Sequence, residues 1–264
     1  MRYFIEMAYD GSAYHGWQLQ PNASSVQEVL TDALRKLTRD ASLDVMGAGR
    51  TDTGVHADYF VAHFNTDADV CPDSPEAESR AIFKLNSILP PDVSVYSIQA
   101  VDPKLHSRFS ARSRTYHYRL TLDKQPMLRH FSFRPFFSLD FQAMNEAAKL
   151  LKSVDDFTSF SKLGTQVKTN ICDVSVACWF EEAPGRFTFE IKANRFLRNM
   201  VRAVVGTLFE VGKGKMSLDE FRDVIAQRDR CAAGSSVAAA GLSLVDIEYP
   251  VGLGFVPKAR RVIV

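Results

Sequence analysis

The sequence predicts an α+β fold: two split βαβ halves joined into one mixed, largely antiparallel central sheet, with helices on one face and a basic active-site cleft on the other. Two observations predict it. The order strand, helix, strand, strand, helix, strand can be read twice along the 264 residues, and each such unit closes a four-stranded antiparallel sheet with its helices on one side. The strand segments alternate in polarity, whereas the helical ones carry apolar stripes at three- and four-residue spacing. The expected halves are 1–105 and 106–264, the second with an extra helix and loop near 212–240.

Arg2 to Ala8 reads as the first strand. Ser24 opens a helix with Gln27 as its capping-box partner and a stripe of Val26, Leu30, Ala33 or Leu34, and Leu37. Leu43 to Met46 and Tyr59 to Asn65 read as strands, Glu76 to Ile88 as a helix stopped by Pro90-Pro91, and Val93 to Ile98 as the fourth strand. The second half begins at Arg114 to Thr121, where Tyr116, Tyr118 and Leu120 share a face. A helix from Phe141 to Lys152 follows. Ile171 to Phe180 and Arg186 to Lys192 flank the turn Ala183-Pro184-Gly185, and an apolar helix is expected from Phe196 to Val211. An extra helix opens at Ser217 with Glu220 as its capping-box partner, a loop rich in Ala, Gly and Ser spans Ala232 to Ala240, and Leu242 to Glu248 closes the pattern.

Hydrophobic residues make up 46% and charged residues 24%, which suits a core-forming globular chain. No signal peptide or long apolar span is visible, so the expected location is the cytoplasm and no membrane partner is expected. Cys71, Cys172, Cys178 and Cys231 form no CxxC pair and the six histidines no HExxH spacing; they read as reduced packing residues, with no metal site. The net charge of +1 hides an uneven distribution. From Val101 to Pro135, Lys104, Arg108, Arg112, Arg114, Arg119, Lys124, Arg129 and Arg134 face only Asp102 and Asp123, and Lys192 to Arg202 holds four basic residues and no acid. Windows from Asp67 to Glu78 and Asp140 to Asp156 are acidic. Such polarity fits a polyanion partner, and also a set of solvated charged faces.

Three segments look out of place in a plain core. The first is Gly47-Ala48-Gly49-Arg50-Thr51-Asp52-Thr53-Gly54-Val55-His56-Ala57, with Asp52 at the tip of a glycine-rich turn. Arg50 favours the ionised carboxylate, which suits a nucleophile better than a general acid. The same spacing fits an Asx-type turn with Arg50 and Asp52 as a surface ion pair. The second is Arg112-Ser113-Arg114-Thr115-Tyr116-His117-Tyr118, which can stack a base on a ring while Arg112 and Arg114 hold phosphates, or be an ordinary strand with one buried tyrosine face. The third is Asn194 to Arg202, where Arg198 and Arg202 stand four apart on the expected helix. Two like charges on one stripe call for an anion or a carboxylate, unless both are exposed.

Taken together, the motifs resemble the tRNA pseudouridine synthase A family. They are Tyr9-Asp10-Gly11 with Gly16-Trp17-Gln18, Gly49-Arg50-Thr51-Asp52 with Gly54-Val55-His56-Ala57, Leu85-Asn86 with Leu89-Pro90, Phe109-Ser110-Ala111, Met200-Val201-Arg202 and Gly241-Leu242-Ser243-Leu244. They occur in family order from the first strand to the last. The resemblance implies two ferredoxin-like halves and isomerisation of uridine to pseudouridine at positions 38, 39 and 40 of the tRNA anticodon stem-loop. It implies no cofactor, and a homodimer with tRNA touching both subunits. By motif, Asp52 is implied as the catalytic aspartate and Arg50 as the side chain that helps displace the target nucleotide. Tyr116 is implied to pack against the uracil, Arg202 to pair with Asp52, and Leu244 to wall the base. Arg112, Arg114 and Arg198 are candidate RNA contacts. Leu105-His106-Ser107-Arg108, Ser153-Val154-Asp155-Asp156-Phe157 and Ala238-Ala239-Ala240 depart from the family pattern; these departures bear on loops and tRNA contacts.

Two other readings compete with this one. Asp52-Thr53-Gly54 is a DTG triplet like that of a dimeric aspartic protease, but such a dyad shares a proton that Arg50 opposes, and the apolar lead-in is missing. A non-catalytic tRNA-binding protein would keep the basic face, and would be the better reading had Asp52 been replaced.

Overall fold

The computed structural model describes residues 1–70, 74–162, 164 and 168–258. Among them the chain runs βαββαβ and then βαββααβ, an α+β architecture whose strand pairs are mostly antiparallel. Two units emerge. The first joins Met1–Arg112 to the described residues from Leu244 onward, and the second is Ser113–Ser243.

In the first unit, β1 (Arg2–Tyr9) lies between β3 (His56–Asn65) and β4 (Val93–Val101), antiparallel to both, with Ile5 opposite Ala62 and Ile98. β2 (Val45–Gly47) pairs with β3, which gives the order β4-β1-β3-β2 of a split βαβ unit. β8 (Leu242–Glu248) also lies beside β3. Both faces of β1 are covered. Phe4 packs on Tyr249 and Phe255, and Glu6, wholly buried, accepts hydrogen bonds from Tyr59 Oη (2.7 Å), Gln99 Nε2 (3.2 Å) and Lys258 N (3.0 Å). A buried carboxylate needs such donors, because desolvation otherwise disfavours its charge.

Helix α1 (Val26–Thr38) begins one residue later than its sequence suggests. Ser25 is the cap, its hydroxyl accepting from Glu28 N while Glu28 answers Ser25 N. Gln27 is drawn elsewhere: its side chain accepts from Leu19 N and donates to Val45 O. Helix α2 (Pro75–Ile88) is capped by Ser74, carries Pro75 in its first turn and gives way to extended backbone at Leu89 before the two prolines.

In the second unit the strand order is β5 (Ser113–Thr121), β7 (Arg186–Ala193), β6 (Val174–Ala183), all antiparallel, with Tyr118 opposite Phe189 and Phe189 opposite Trp179. Tyr118 and Trp179 meet Phe209 of α4 (Met200–Gly212), and Phe189 packs on Trp179. α3 (Phe141–Leu150) lays Phe141 flat on Phe187, centroids 3.7 Å apart. α5 (Leu218–Gln227) opens with the expected Ser217–Glu220 capping box.

Helix α4 starts four residues after the expected Phe196. Asn199 takes the left-handed conformation (φ 65°, ψ 6°), which no continuing helix can absorb. Arg198 therefore sits in the preceding turn and shares no helical stripe with Arg202.

Cys172 is buried and Cys178 half-buried, as packing residues are, whereas Cys231 is exposed; Cys71 lies outside the described residues. Among the described residues no helix is long and apolar enough to cross a membrane.

Candidate active site

Asp52 lies in the loop between β2 and β3, half-buried, with Arg50 exposed beside it. The loop is fixed from both ends. Ala48 N continues the β2–β3 ladder with a 2.8 Å bond to Val61 O. Beyond the aspartate, Val55 N donates to Asp52 O (3.1 Å), which closes a four-residue turn with Gly54 at φ 76° in its third position. That is the conformation in which glycine is favoured.

The segment between β1 and α1 clamps this loop. Tyr9 Oη and Thr51 Oγ1 are 2.9 Å apart and buried, Trp17 N donates to Thr51 O (3.3 Å), and Gly54 N donates to Tyr14 O (3.2 Å). Gly16, at φ 90°, approaches so closely that a Cβ there would stand 2.3 Å from Thr51 O. Below, Gly11 N donates to His56 Nδ1 (3.1 Å), and Asp10 Oδ1 lies 3.0 Å from the same nitrogen. Tyr14 Oη donates to Asp92 Oδ1 (2.6 Å). Burial, reinforced by the Asp92 hydrogen bond and charge, pushes the Tyr14 hydroxyl well above the usual phenol range, so it remains a donor. These contacts explain why Tyr9-Asp10-Gly11, Gly16-Trp17 and the Asp52 loop appear in one sequence. Periodicity gives no sign of the clamp. Its only signal is that the two glycine-containing motifs occur together.

Of the other candidates in this unit, Leu244 is buried in β8, and Arg112 is exposed, its backbone N donating to Glu248 O (2.7 Å).

In the second unit Tyr116 lies on β5 opposite Ile191, buried, with its ring edge-on to Phe196 at 5.0 Å and 83°. Tyr116 and Tyr118 are buried on one face of this strand, as in an ordinary strand with one buried tyrosine face, and Arg114 Nη1 donates to Asn194 O (3.0 Å). Arg202, in the first turn of α4, donates from Nε to Val237 O (2.7 Å) and accepts Val237 N at its own carbonyl (3.1 Å). Burial raises the Tyr118 hydroxyl above its usual range against the opposing charge of Arg202, and Tyr118 Oη donates to Ala238 O (3.1 Å). Arg198 is exposed, and its carbonyl accepts from Lys162 N (3.1 Å).

The loop rich in Ala, Gly and Ser therefore has a packing reason. It lies flush on α4, where a Cβ on Gly206 would stand 1.8 Å from Ser235 O, and Gly234 N donates to Thr207 Oγ1 (3.0 Å). Asn199 Nδ2 and Arg230 Nη2 both reach Ser236 Oγ. The backbone that holds Arg202 is thereby set.

A family model described as tRNA pseudouridine synthase matches residues 147–250. The chain is 53% identical over 251 residues to the tRNA pseudouridine synthase A of Bacteroides thetaiotaomicron, covering 94% of this chain and 91% of that protein. It is 52% identical over 249 residues to that of Bacteroides fragilis (94% and 96% covered) and 39% identical over 250 residues to that of Chlamydia muridarum (93% and 91% covered).

Proposed function

Since the chain belongs to the tRNA pseudouridine synthase A family, and so is an isomerase acting on tRNA, we propose that it converts uridine to pseudouridine at positions 38, 39 and 40 of the anticodon stem-loop, with Asp52 as the catalytic carboxylate. The observation that carries this reading is the Asp52 turn. The loop that carries this half-buried aspartate is held by backbone hydrogen bonds to a neighbouring segment, by the Tyr9–Thr51 hydroxyl pair and by the close approach of Gly16.

A uridine stacked in a stem cannot be rearranged in place, so it is flipped out at a cost of a few kcal/mol. Arg50, exposed next to Asp52, is proposed to fill the contacts the base leaves. In the reaction the bond from the sugar carbon to ring nitrogen 1 breaks, the base turns, and carbon 5 bonds to the sugar in its place. Carbon 5 then loses its hydrogen to solvent, and nitrogen 1 takes up a proton. Asp52 attacks the base or the sugar carbon, or removes a sugar proton once the glycosidic bond has broken. Tyr116 is proposed to stack on the uracil and Leu244 to wall it, so that the detached base turns without escaping. Arg202 is assigned to the charged part of the site, and Arg112, Arg114 and Arg198 to phosphates. The working form is proposed to be a cytoplasmic homodimer.

Tritium release from tRNA labelled at uracil carbon 5 tests the assignment. Release by the wild type and none by Asp52→Asn is the expected result. Release by the variant at the wild-type rate would remove Asp52 from the chemistry, and a chain that binds tRNA without any release would be a binding protein.

A further inference from the structure

Between β4 and β5 the chain makes a tight turn, 106–110, whose tip leaves Phe109 76% exposed with the exposed Arg108 beside it. The Arg108 guanidinium lies 5.5 Å from the centre of the phenyl ring. The turn is rigid. Ser110 N donates to His106 O (2.9 Å), His106 N donates to Ser110 Oγ (3.0 Å), and Arg108 N donates to His106 Nδ1 (3.1 Å).

Below the turn the anchoring reaches the core of the unit. The Phe109 ring leans on the His106 imidazole (4.4 Å, 39°), which stands edge-on to His63 (4.5 Å, 66°). His63 Nδ1 and Ser107 Oγ are 2.8 Å apart, Ser107 Oγ donates to Met46 O (2.9 Å), Tyr249 Oη donates to Ser107 O (2.6 Å), and Arg2 Nη1 holds Leu105 O (2.6 Å). Burial, followed by nearby positive charge, lowers the affinity of both imidazoles for a proton, so the pair is neutral near pH 7 and adds no repulsion under the arginine.

A large apolar side chain left in water forgoes the gain of burial. Here the exposed ring is also braced from beneath, so it is ready to meet a ligand without an ordering cost. No other large hydrophobic residue between 102 and 121 is exposed, and the surrounding segment carries Lys104, Arg108 and Arg112 against Asp102. An apolar protein partner would call for a wider patch. A lone ring in a basic field suits a chain of anions bearing flat bases.

We propose that Phe109, with Arg108 beside it, is a stacking platform for one unpaired nucleobase of the tRNA substrate. This inference rests on the tRNA reading above. It adds a contact site on the 106–110 turn, apart from the Asp52 loop.

Tryptophan fluorescence gives a direct test, because the chain has two tryptophans and both are buried, Trp17 at 1% and Trp179 at 4% exposure. Phe109→Trp therefore places an exposed reporter at the site. Unmodified tRNA transcript should quench its emission saturably, in step with binding, while Phe109→Ala weakens tRNA binding about tenfold, within the range measured for loss of one base–aromatic stack. Phe83→Ala, at another exposed phenylalanine (74%) on α2, should bind as the wild type does. Unquenched emission from the tRNA-bound Trp variant, or wild-type affinity in Phe109→Ala, overturns the proposal. So does a changed sedimentation state of Phe109→Ala at unchanged RNA affinity, which would give the ring to a protein contact. Wild-type protein assayed alongside separates the two levels: if it neither binds nor isomerises tRNA, the function itself fails and the platform falls with it.

Discussion

The hydroxyls of Tyr9 and Thr51 meet at 2.9 Å inside the first unit, so the end of the first strand is tied to the residue that precedes Asp52. A strand end is a rigid place from which to aim a side chain, and a catalytic group misplaced by 1 Å can lose about a hundredfold in rate.

Removing that tie should therefore separate chemistry from binding. Tyr9→Phe keeps the ring but loses one buried hydrogen bond, at about 1 kcal/mol of stability. We expect kcat to fall about tenfold with KM little changed, a loss of positioning rather than of contact. Steady-state kinetics on tRNA transcript checks it, and a rise in KM at constant kcat would contradict it.

Two glycines close to the same loop should behave in opposite ways. Gly16→Ala forces a methyl to 2.3 Å from Thr51 O at φ 90°, and should lower the melting temperature by several degrees, a loss of more than about 1 kcal/mol. Gly49→Ala meets nothing within 4 Å. Its melting temperature should stay within about one degree of the wild type. Differential scanning calorimetry on the pair decides it.

Binding and turnover should part at Asp52. Phosphate contacts supply most of the affinity for a polyanion, so Asp52→Ala should abolish isomerisation while retaining tRNA affinity within about threefold. Filter binding at fixed salt, run beside the tritium assay, is the check. Equal losses in both would show that the side chain holds the substrate.

Stability should also depend on pH through His63. Burial, helped by the charges of His106 and Arg2, lowers its pKa from 6.5 to about 4. Because the unfolded chain takes the proton first, the contribution is complete above pH 6.5 and is lost as the pH falls toward 4. The full span amounts to about 3 kcal/mol. His63→Asn should flatten the pH dependence of urea unfolding between those limits, and an unchanged slope would clear His63 of the effect.

Much of this fold is legible in the sequence, because strands and helices of ordinary length carry clear periods and caps. Ser217 and Glu220 open α5 as read. At α1, Ser24 and Ser25 each have a capping-box partner three residues on, and local sequence does not choose between them. The choice falls to Gln27, whose side chain is used by Leu19 and Val45. At α4 the apolar run begins before the helix does, since Asn199 turns left-handed and bonds Ser236 from a loop distant in sequence. The glycine-rich surroundings of Asp52 stand out in the sequence, but the clamp from Tyr9, Tyr14, Gly16 and Trp17 does not. It is made largely of backbone groups meeting across more than thirty residues of chain.

Glu6 on β1 accepts hydrogen bonds from the backbone N of Lys258, and the unit they share is interrupted in sequence by the whole of the other. On a ribosome, residues 1–112 emerge before β8 and the cover over Phe4 and Glu6, which follow only after well over a hundred further residues have been made. The unit that carries Asp52 is thus begun long before the segment that completes it is made. A product cut short before β8 would hold the Asp52 loop without the segment that covers Phe4 and Glu6, so synthesis through that segment serves as a check on the first unit.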